Sequence, residues 1–283
     1  MWGSSYAVTK TAYSFVPPMH VVWWRMIVAL IAFVPVILVA RRVNRASPMI
    51  QYQAGDWRWL GLLVLCIPCL YFTFEGFAIS FTTSSQAGVV TAVMPLIVAV
   101  TAWVVLHERP MRLTLIAAVV SVIGVAVLSL AGHSQADASN PALGNLLELG
   151  AMLTATGSTL AIKRLSARYS PLLLTGLQMA AGTVFFAPMA LLSGRVDVRD
   201  VPVGDWLAIA YLGVGCGLGA FALYNSALQL MPASRAALAM NAIPVVALMI
   251  GWLGMGESMT PVQAVACVVI IGVVLAAQVV IKS

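Results

Sequence analysis

Ten apolar runs of helix length follow one another along this chain with hardly a break, and they leave it few ways to fold. Their approximate limits are 1–16, 18–40, 57–80, 82–106, 112–131, 142–163, 171–193, 205–229, 232–255 and 260–281. Most are close to the roughly 20 residues that a helix needs to cross a bilayer core about 30 Å thick. The breaks carry turn and charge signals: Pro17-Pro18, Arg41-Arg42-Val43-Asn44-Arg45, Glu108-Arg109-Pro110, Ser139-Asn140-Pro141, Ser170-Pro171, Met231-Pro232 and Thr260-Pro261. A spanning barrel would instead show alternating segments of about ten residues. Charged residues are only 8% of the chain, against about a quarter in soluble domains. Too little charge is present to cover a water-facing surface, so an all-α membrane protein of ten transmembrane helices is expected.

The loop charges orient it. With the N-terminus inside, the inner loops hold Arg41, Arg42, Arg45, Arg58, Arg109, Arg112, Lys163, Arg164, Arg168 and Lys282. The outer loops hold Arg195 and Arg199, offset by Asp197, Asp200 and Asp205. The positive-inside rule then puts both termini in the cytoplasm. Arginine outnumbers lysine twelve to three and alanine is abundant, which points to a bacterium of high genomic GC content and to its inner membrane. Trp2-Gly3-Ser4-Ser5 and an apolar run follow Met1 without a basic n-region, so no cleavable signal peptide is expected. The first run is short, as it would be if the natural start lay upstream.

Several functions fit poorly. The net charge of +6 sits in loop clusters and not on an aromatic-laced face, so nucleic acid is not an expected partner. Cys66, Cys69, Cys216 and Cys267 lie inside apolar runs and read as packing thiols; no disulfide framework is implied. His20, His107 and His133 lie at run ends or in loops without a second ligand at metal spacing, so no metal and no cofactor are expected. There is no phosphate loop for ATP hydrolysis, and no Ser/His pair, paired Asp or HExxH at mid-depth for intramembrane catalysis.

The chain also repeats itself. An offset of 149 residues lays Asp56–Glu108 over Asp205–Glu257 with ten identities and no gap. They include Trp57/Trp206, Phe72/Phe221, Pro95/Pro244, Trp103/Trp252 and Glu108/Glu257. Composition alone would give about five. An offset of 153 or 154 continues the match upstream, laying Gly3-Ser4-Ser5 over Gly157-Ser158-Thr159, and Met26, Phe33 and Pro35 over Met179, Phe186 and Pro188. The expected units are 1–131 and 142–283, two five-helix repeats in one membrane domain. Five is odd, so the second copy enters the membrane from the other side. Inverted repeats of this kind recur in transporters, with the substrate site at mid-depth where the halves meet. An inert duplicated scaffold is the duller alternative.

The start Trp2-Gly3-Ser4-Ser5-Tyr6, Arg25 in the second run, and the Pro95…Glu108 and Pro244…Glu257 hairpins resemble the EamA-type branch of the drug/metabolite transporter superfamily. The resemblance covers nearly the whole chain. It implies ten helices around a central cavity, alternating access, and commonly export of metabolites or amino acids. Within the branch the chain looks most like the YddG group of aromatic amino-acid exporters, on the aromatic content of its first three runs.

Four ionisable residues fall inside the runs: Lys10, Arg25, Glu75 and Glu148. At 1.5 Å per residue all four sit roughly 8–11 Å from the outer end of their helix, in one layer. Such residues are costly in lipid and usually face a cavity or a partner. One reading pairs Arg25 with Glu75 and Lys10 with Glu148 to hold four helices together. The other has the layer bind or gate a zwitterion, its carboxylate toward Arg25 or Lys10 and its ammonium toward Glu75. Around them, Tyr71 with Phe74, Tyr224 with Asn225, Asn241, and Tyr6 make a reasonable pocket for a small amphipathic molecule. Pro95 and Pro244, flanked by small residues, remove one intrahelical bond each in repeat-related helices and permit kinks that could move. Arg235 reads as a boundary residue and Glu108 and Glu257 as hairpin residues. The expected protein is a secondary transporter exporting aromatic or other hydrophobic amino acids, as a monomer or homodimer in the bilayer. Export of another small metabolite or a lipophilic cation is the alternative, and a channel a more distant one.

Overall fold

The computed structural model describes residues 1–43, 52–106, 112–131, 138–231, 233–238, 240, 242–257 and 259–282. Among them all regular structure is helical, and each of the ten apolar runs holds helix. In chain order these are α1 (Trp2–Ala12), α2 (Pro18–Val43), α3 (Asp56–Phe81), α4 (Ser84–Val105), α5 (Arg112–Leu130) and α6 (Pro141–Leu165), then α7 (Pro171–Leu192), α8 (Val203–Leu230), α9 (Ala233–Leu238), α10 (Ala242–Gly254) and α11 (Pro261–Lys282). Among the described residues α2, α3, α4, α7 and α8 are long and apolar enough to cross a membrane. α9 and α10 share the run 232–255.

Short polar side chains start these helices where the sequence has Pro or Ser/Thr breaks. Asn140 Oδ1 accepts the Leu143 N–H at 3.1 Å and Ser170 Oγ accepts that of Leu173 at 3.3 Å, each just before a proline in the first turn. Thr260 and Gln263 form a reciprocal capping box around Pro261, with bonds of 3.0 and 3.2 Å.

Burial is inverted with respect to a soluble fold. Large aliphatic side chains such as Val184, Leu191, Leu223, Leu253 and Val268 are exposed, while Arg25, Glu75, Glu148, Gln178 and Asn225 are buried. An exterior of that kind is stable only against lipid tails.

The helices pack in a pattern that survives exchange of the two halves. α2 packs on α7, α5 on α11, and α4 on α10. α1 packs on α8 and α10, while α6, its counterpart under the offset, packs on α3 and α4. α8 leans on α2 and α3 on α7. Both long central helices also depart from α geometry at matching places. Leu65–Leu70 of α3 and Tyr211–Ala220 of α8 have wide i→i+5 turns, and the offset of 149 carries the first onto 214–219. In α3 the departure is a true kink: Ile67, just before Pro68, has φ −131° and ψ 120°. α4 narrows instead at Thr91–Val93, ahead of Pro95, where the Thr91 carbonyl accepts the Met94 N–H. A carbonyl deprived of its i+4 donor by proline is thereby satisfied locally.

Candidate functional site

Behind the Ile67 kink, α3 turns Tyr71, Phe72 and Glu75 into a narrow cavity of about 50 Å³ between α1, α2, α3, α4, α6, α8 and α10. Six of its twenty lining residues are aromatic. Trp2 stands edge-on to Phe221 at 5.0 Å and to Tyr224 at 5.6 Å, and Phe72 lies 6.2 Å from Phe221. The Trp2 indole is held by a 3.2 Å bond to the Cys216 carbonyl. Phe72 and Phe221 are repeat counterparts, so their contact lies where the halves meet. Such a wall offers apolar contact of little rotamer entropy to a small amphipathic ligand.

Polar groups interrupt this wall. Glu75 Oε1 accepts the Tyr71 hydroxyl at 2.7 Å, and Oε2 lies 3.6 Å from an Arg25 terminal nitrogen. The Arg25 guanidinium rests over the Phe72 ring, 4.5 Å from its centroid, and its Nε has no hydrogen-bond partner. Tyr6, on the cavity wall, donates its hydroxyl to Glu148 Oε1 at 2.8 Å. Across the cavity the Asn225 amide nitrogen reaches Thr175 Oγ1 at 2.8 Å and Gln178 Oε1 at 3.2 Å, leaving Asn225 Oδ1 unpartnered. Tyr224 and Thr159 hydroxyls are 3.3 Å apart. The site therefore holds an unused N–H donor and an unused carbonyl acceptor, both buried.

Of the residues expected here, Tyr6, Arg25, Tyr71, Glu75, Tyr224 and Asn225 line the cavity. Glu148 sits behind Tyr6, fully buried. Phe74 does not line it but packs toward Gly150 of α6, and Phe72 takes the place on the wall. Pro95 and Pro244 lie within α4 and α10. Asn241 falls outside the described residues, as do His107, Glu108 and His133.

Lys10 is a correction. It does not reach Glu148: its ammonium donates to the Ile79 carbonyl at 3.0 Å and the Thr82 carbonyl at 2.6 Å, closing the C-terminal end of α3. Lys163 is not a loop residue either. It donates to the Leu228 and Met231 carbonyls, both at 2.9 Å, closing the end of α8. The offset of 153 lays Lys10 over Lys163, and that of 149 lays Ile79 and Thr82 over Leu228 and Met231. One device is present twice: a cation on the carbonyl end of a helix, where the dipole is negative. Lys10→Met and Lys163→Met are each expected to cost about 2 kcal/mol, the scale of hydrogen bonds from a charged donor. Thermal unfolding in detergent checks this, and strongly unequal losses would refute the equivalence.

Glu257 closes the opposite kind of end. Its carboxylate accepts the Ser84 N–H at 2.8 Å, the Ser84 hydroxyl at 2.6 Å and the Ser85 N–H at 2.9 Å, at the N-terminus of α4. The cysteines are buried and unpaired, with Cys66 packed toward Gly157. Among the described residues no group of three or more His, Cys, Asp or Glu could hold a metal ion.

With this geometry in view, comparison with known proteins gives a family. The model of the EamA-like transporter family matches residues 1–130 and 142–277. The chain belongs to that family. This EamA-like chain is similar to the uncharacterized transporter YetK of Bacillus subtilis, with 28% identity over 197 residues, 68% of this chain and 60% of that one. It is similar to the uncharacterized transporter YcxC of the same organism, with 30% identity over 205 residues, 70% of this chain and 65% of that one. The match therefore spans less than two thirds of either relative's own length. An uncharacterized transporter of Archaeoglobus fulgidus is 23% identical over 263 residues, 92% of this chain and 88% of the other. A solved crystal structure shares the fold, with TM-score 0.68 at 18% identity over 99% of this chain and 93% of that one. Family and long apolar helices together make this a multi-pass membrane protein.

Proposed function

We propose that this EamA-like protein is a secondary transporter that exports amino acids with aromatic or other hydrophobic side chains across a bacterial inner membrane. One observation carries the reading: the cavity, part of whose wall is aromatic, ends on a buried Arg25–Glu75 pair held at 3.6 Å, longer than a well-made ion pair. A zwitterion completes what the pair leaves open. Its carboxylate can take the free Nε of Arg25, its ammonium the carboxylate of Glu75, and its side chain the rings of Trp2, Phe72, Phe221 and Tyr224.

The half-exchanging helix packing supports two inverted five-helix repeats that open the cavity to either face in turn, with both termini cytoplasmic. Monomer and homodimer would serve equally, since the cavity is built within one chain. The test is counterflow in proteoliposomes with labelled L-phenylalanine against a panel of amino acids, lipophilic cations and sugar phosphates. Saturable exchange of L-phenylalanine, competed by tryptophan and leucine, is expected. Exchange of lipophilic cations alone would favour a second reading. Two buried carboxylates against one guanidinium in an aromatic cage would also suit such a cation.

A further inference from the structure

We propose that Asn225 selects among substrates: it favours aromatic amino acids whose side chain carries an O–H or N–H donor at its far edge, tyrosine and tryptophan, over phenylalanine. The proposal rests on the transport reading above and narrows its substrate class.

Asn225 of α8 is fully buried and lines the cavity. The hydrogen bonds around it fix which way its amide points. Thr175 of α7 gives its hydroxyl hydrogen to the Pro171 carbonyl at 2.9 Å, so toward Asn225 its oxygen acts as an acceptor. The group that reaches Thr175 Oγ1 at 2.8 Å is therefore the amide nitrogen. The second N–H of that nitrogen goes to Gln178 Oε1, also on α7, at 3.2 Å. Gln178 turns its own nitrogen elsewhere, 3.5 Å from both the Ile67 carbonyl and Ser158 Oγ. α7 supplies no residue to the cavity wall. Both N–H groups of Asn225 thus point away from the cavity, and Oδ1 is the branch left facing it, without a partner.

Among the described residues no donor reaches that oxygen. Thr159 gives its hydrogen to the Ala155 carbonyl at 2.9 Å, so in the 3.3 Å contact with Tyr224 it is Tyr224 that donates. Further along the wall, Tyr6 and Tyr71 are spent on Glu148 and Glu75, and the Trp2 indole on the Cys216 carbonyl. A buried carbonyl without a donor is costly, and folded proteins satisfy nearly all of theirs. A donor carried in by the ligand removes that cost. The repeat makes the position informative. The offset of 149 that pairs Phe72 with Phe221 also lays Glu75-Gly76 over Tyr224-Asn225. One half sets a carboxylate at this place in its helix, and the other sets a neutral acceptor.

Between these two ends runs a row of rings. The Arg25 guanidinium is 4.5 Å from the Phe72 centroid, Phe72 is 6.2 Å from Phe221, and Asn225 follows Phe221 by one turn of α8. A ligand gripped by its charged end at Arg25 and Glu75 lies along these rings and presents its far edge to Asn225. The phenol O–H of tyrosine or the indole N–H of tryptophan then meets Oδ1, whereas the edge of phenylalanine leaves it unmet. A cavity of about 50 Å³ must widen around any of these side chains. Thr175, Gln178 and Asn225 all belong to the second half, so the acceptor keeps its direction when the halves part.

The experiment uses the purified full chain in proteoliposomes and reads competition against exchange of labelled L-phenylalanine. Unlabelled L-tyrosine should half-inhibit at about one fifth of the concentration that unlabelled L-phenylalanine needs, the effect of one neutral hydrogen bond. L-tryptophan should outcompete 1-methyl-L-tryptophan, the same ring without its N–H, by at least about fivefold. In Asn225→Leu the tyrosine-to-phenylalanine ratio should collapse to about one, whatever the absolute rate. A packing defect alone would slow every substrate and leave that ratio as in the wild type. If Asn225→Leu does not fold, the two wild-type ratios decide. Equal competition by tyrosine and phenylalanine in the wild type, as when a water meets Oδ1, would overturn the role of Asn225 and leave export of aromatic amino acids standing. An unchanged ratio in Asn225→Leu would do the same. Absence of exchange with every aromatic amino acid would sink the transport reading itself, and this proposal with it.

Discussion

Arg25→Met is expected to abolish substrate exchange and to lower stability in detergent by about 3–5 kcal/mol, the cost of leaving a buried partner charge alone. Arg25 and Glu75 are 3% and 7% exposed at their side chains, so neither charge can be screened by water. Methionine fills the space of the arginine stem over Phe72 without its charge, and Glu75 then faces the cavity with only the Tyr71 hydroxyl. Glu75→Gln should be milder for folding, because a neutral amide can still accept from Tyr71. Its exchange rate should nonetheless fall at least about hundredfold if the carboxylate meets the substrate ammonium, on the scale of truncating one member of a buried charge pair. The double variant Arg25→Met/Glu75→Gln separates the two readings of the pair. Removing both charges restores most of the stability, since replacing a buried pair by neutral groups is close to neutral. Transport should stay lost. A double variant that regains exchange would make the pair a structural tie and would remove both residues from the substrate site.

How much of this was legible in the residues follows from what each signal measures. Apolar run length and proline-capped breaks report on helix existence, and helices occupy every run. Charge scarcity reports on which polar side chains must be buried together, and Arg25 does stand by Glu75. Depth counting failed for Lys10 because a rise of 1.5 Å per residue locates Cα, not the ammonium. A four-carbon stem moves that group several ångströms toward the helix end where carbonyls are unpaired. The cue lay in the duplication: Lys10 and Lys163 coincide at the same offset that aligns Met26 with Met179, and a residue kept in both halves need not belong to an asymmetric site. Phe72, chosen by the fold over Phe74, was likewise one of the ten repeated identities. The kink at Ile67 decides between them by resetting which face α3 presents. Pro68 marks it in the sequence, but the turn it imposes depends on α7 and α6 packing around it.

Gly88→Ala is the second large effect expected, and it tests how the halves meet. Gly88 of α4 faces Ala247 of α10, and a Cβ built on it would fall on the Ala247 Cβ, with the Ala247 Cα 3.6 Å away. Both atoms hang directly from backbone, so no rotamer can relieve the collision and the two helices must separate. Overpacking of this kind costs up to about 3 kcal/mol. Tyr6 Cδ2 lies 3.9 Å from the same point, so separation of α4 from α10 also disturbs the residue that holds Glu148. Adding Ala247→Gly removes the colliding atom and should return stability to within about 1 kcal/mol, the residual being the cost of glycine inside a helix. Small-residue crossings of this type let membrane helices approach without a hydrophobic driving force between them. The α4–α10 contact joins one repeat to the other, so a lasting separation should slow exchange as well as lower the unfolding temperature. Wild-type stability in Gly88→Ala would show that these helices have room to spare, and a double variant no better than the single would place the strain elsewhere than at Ala247.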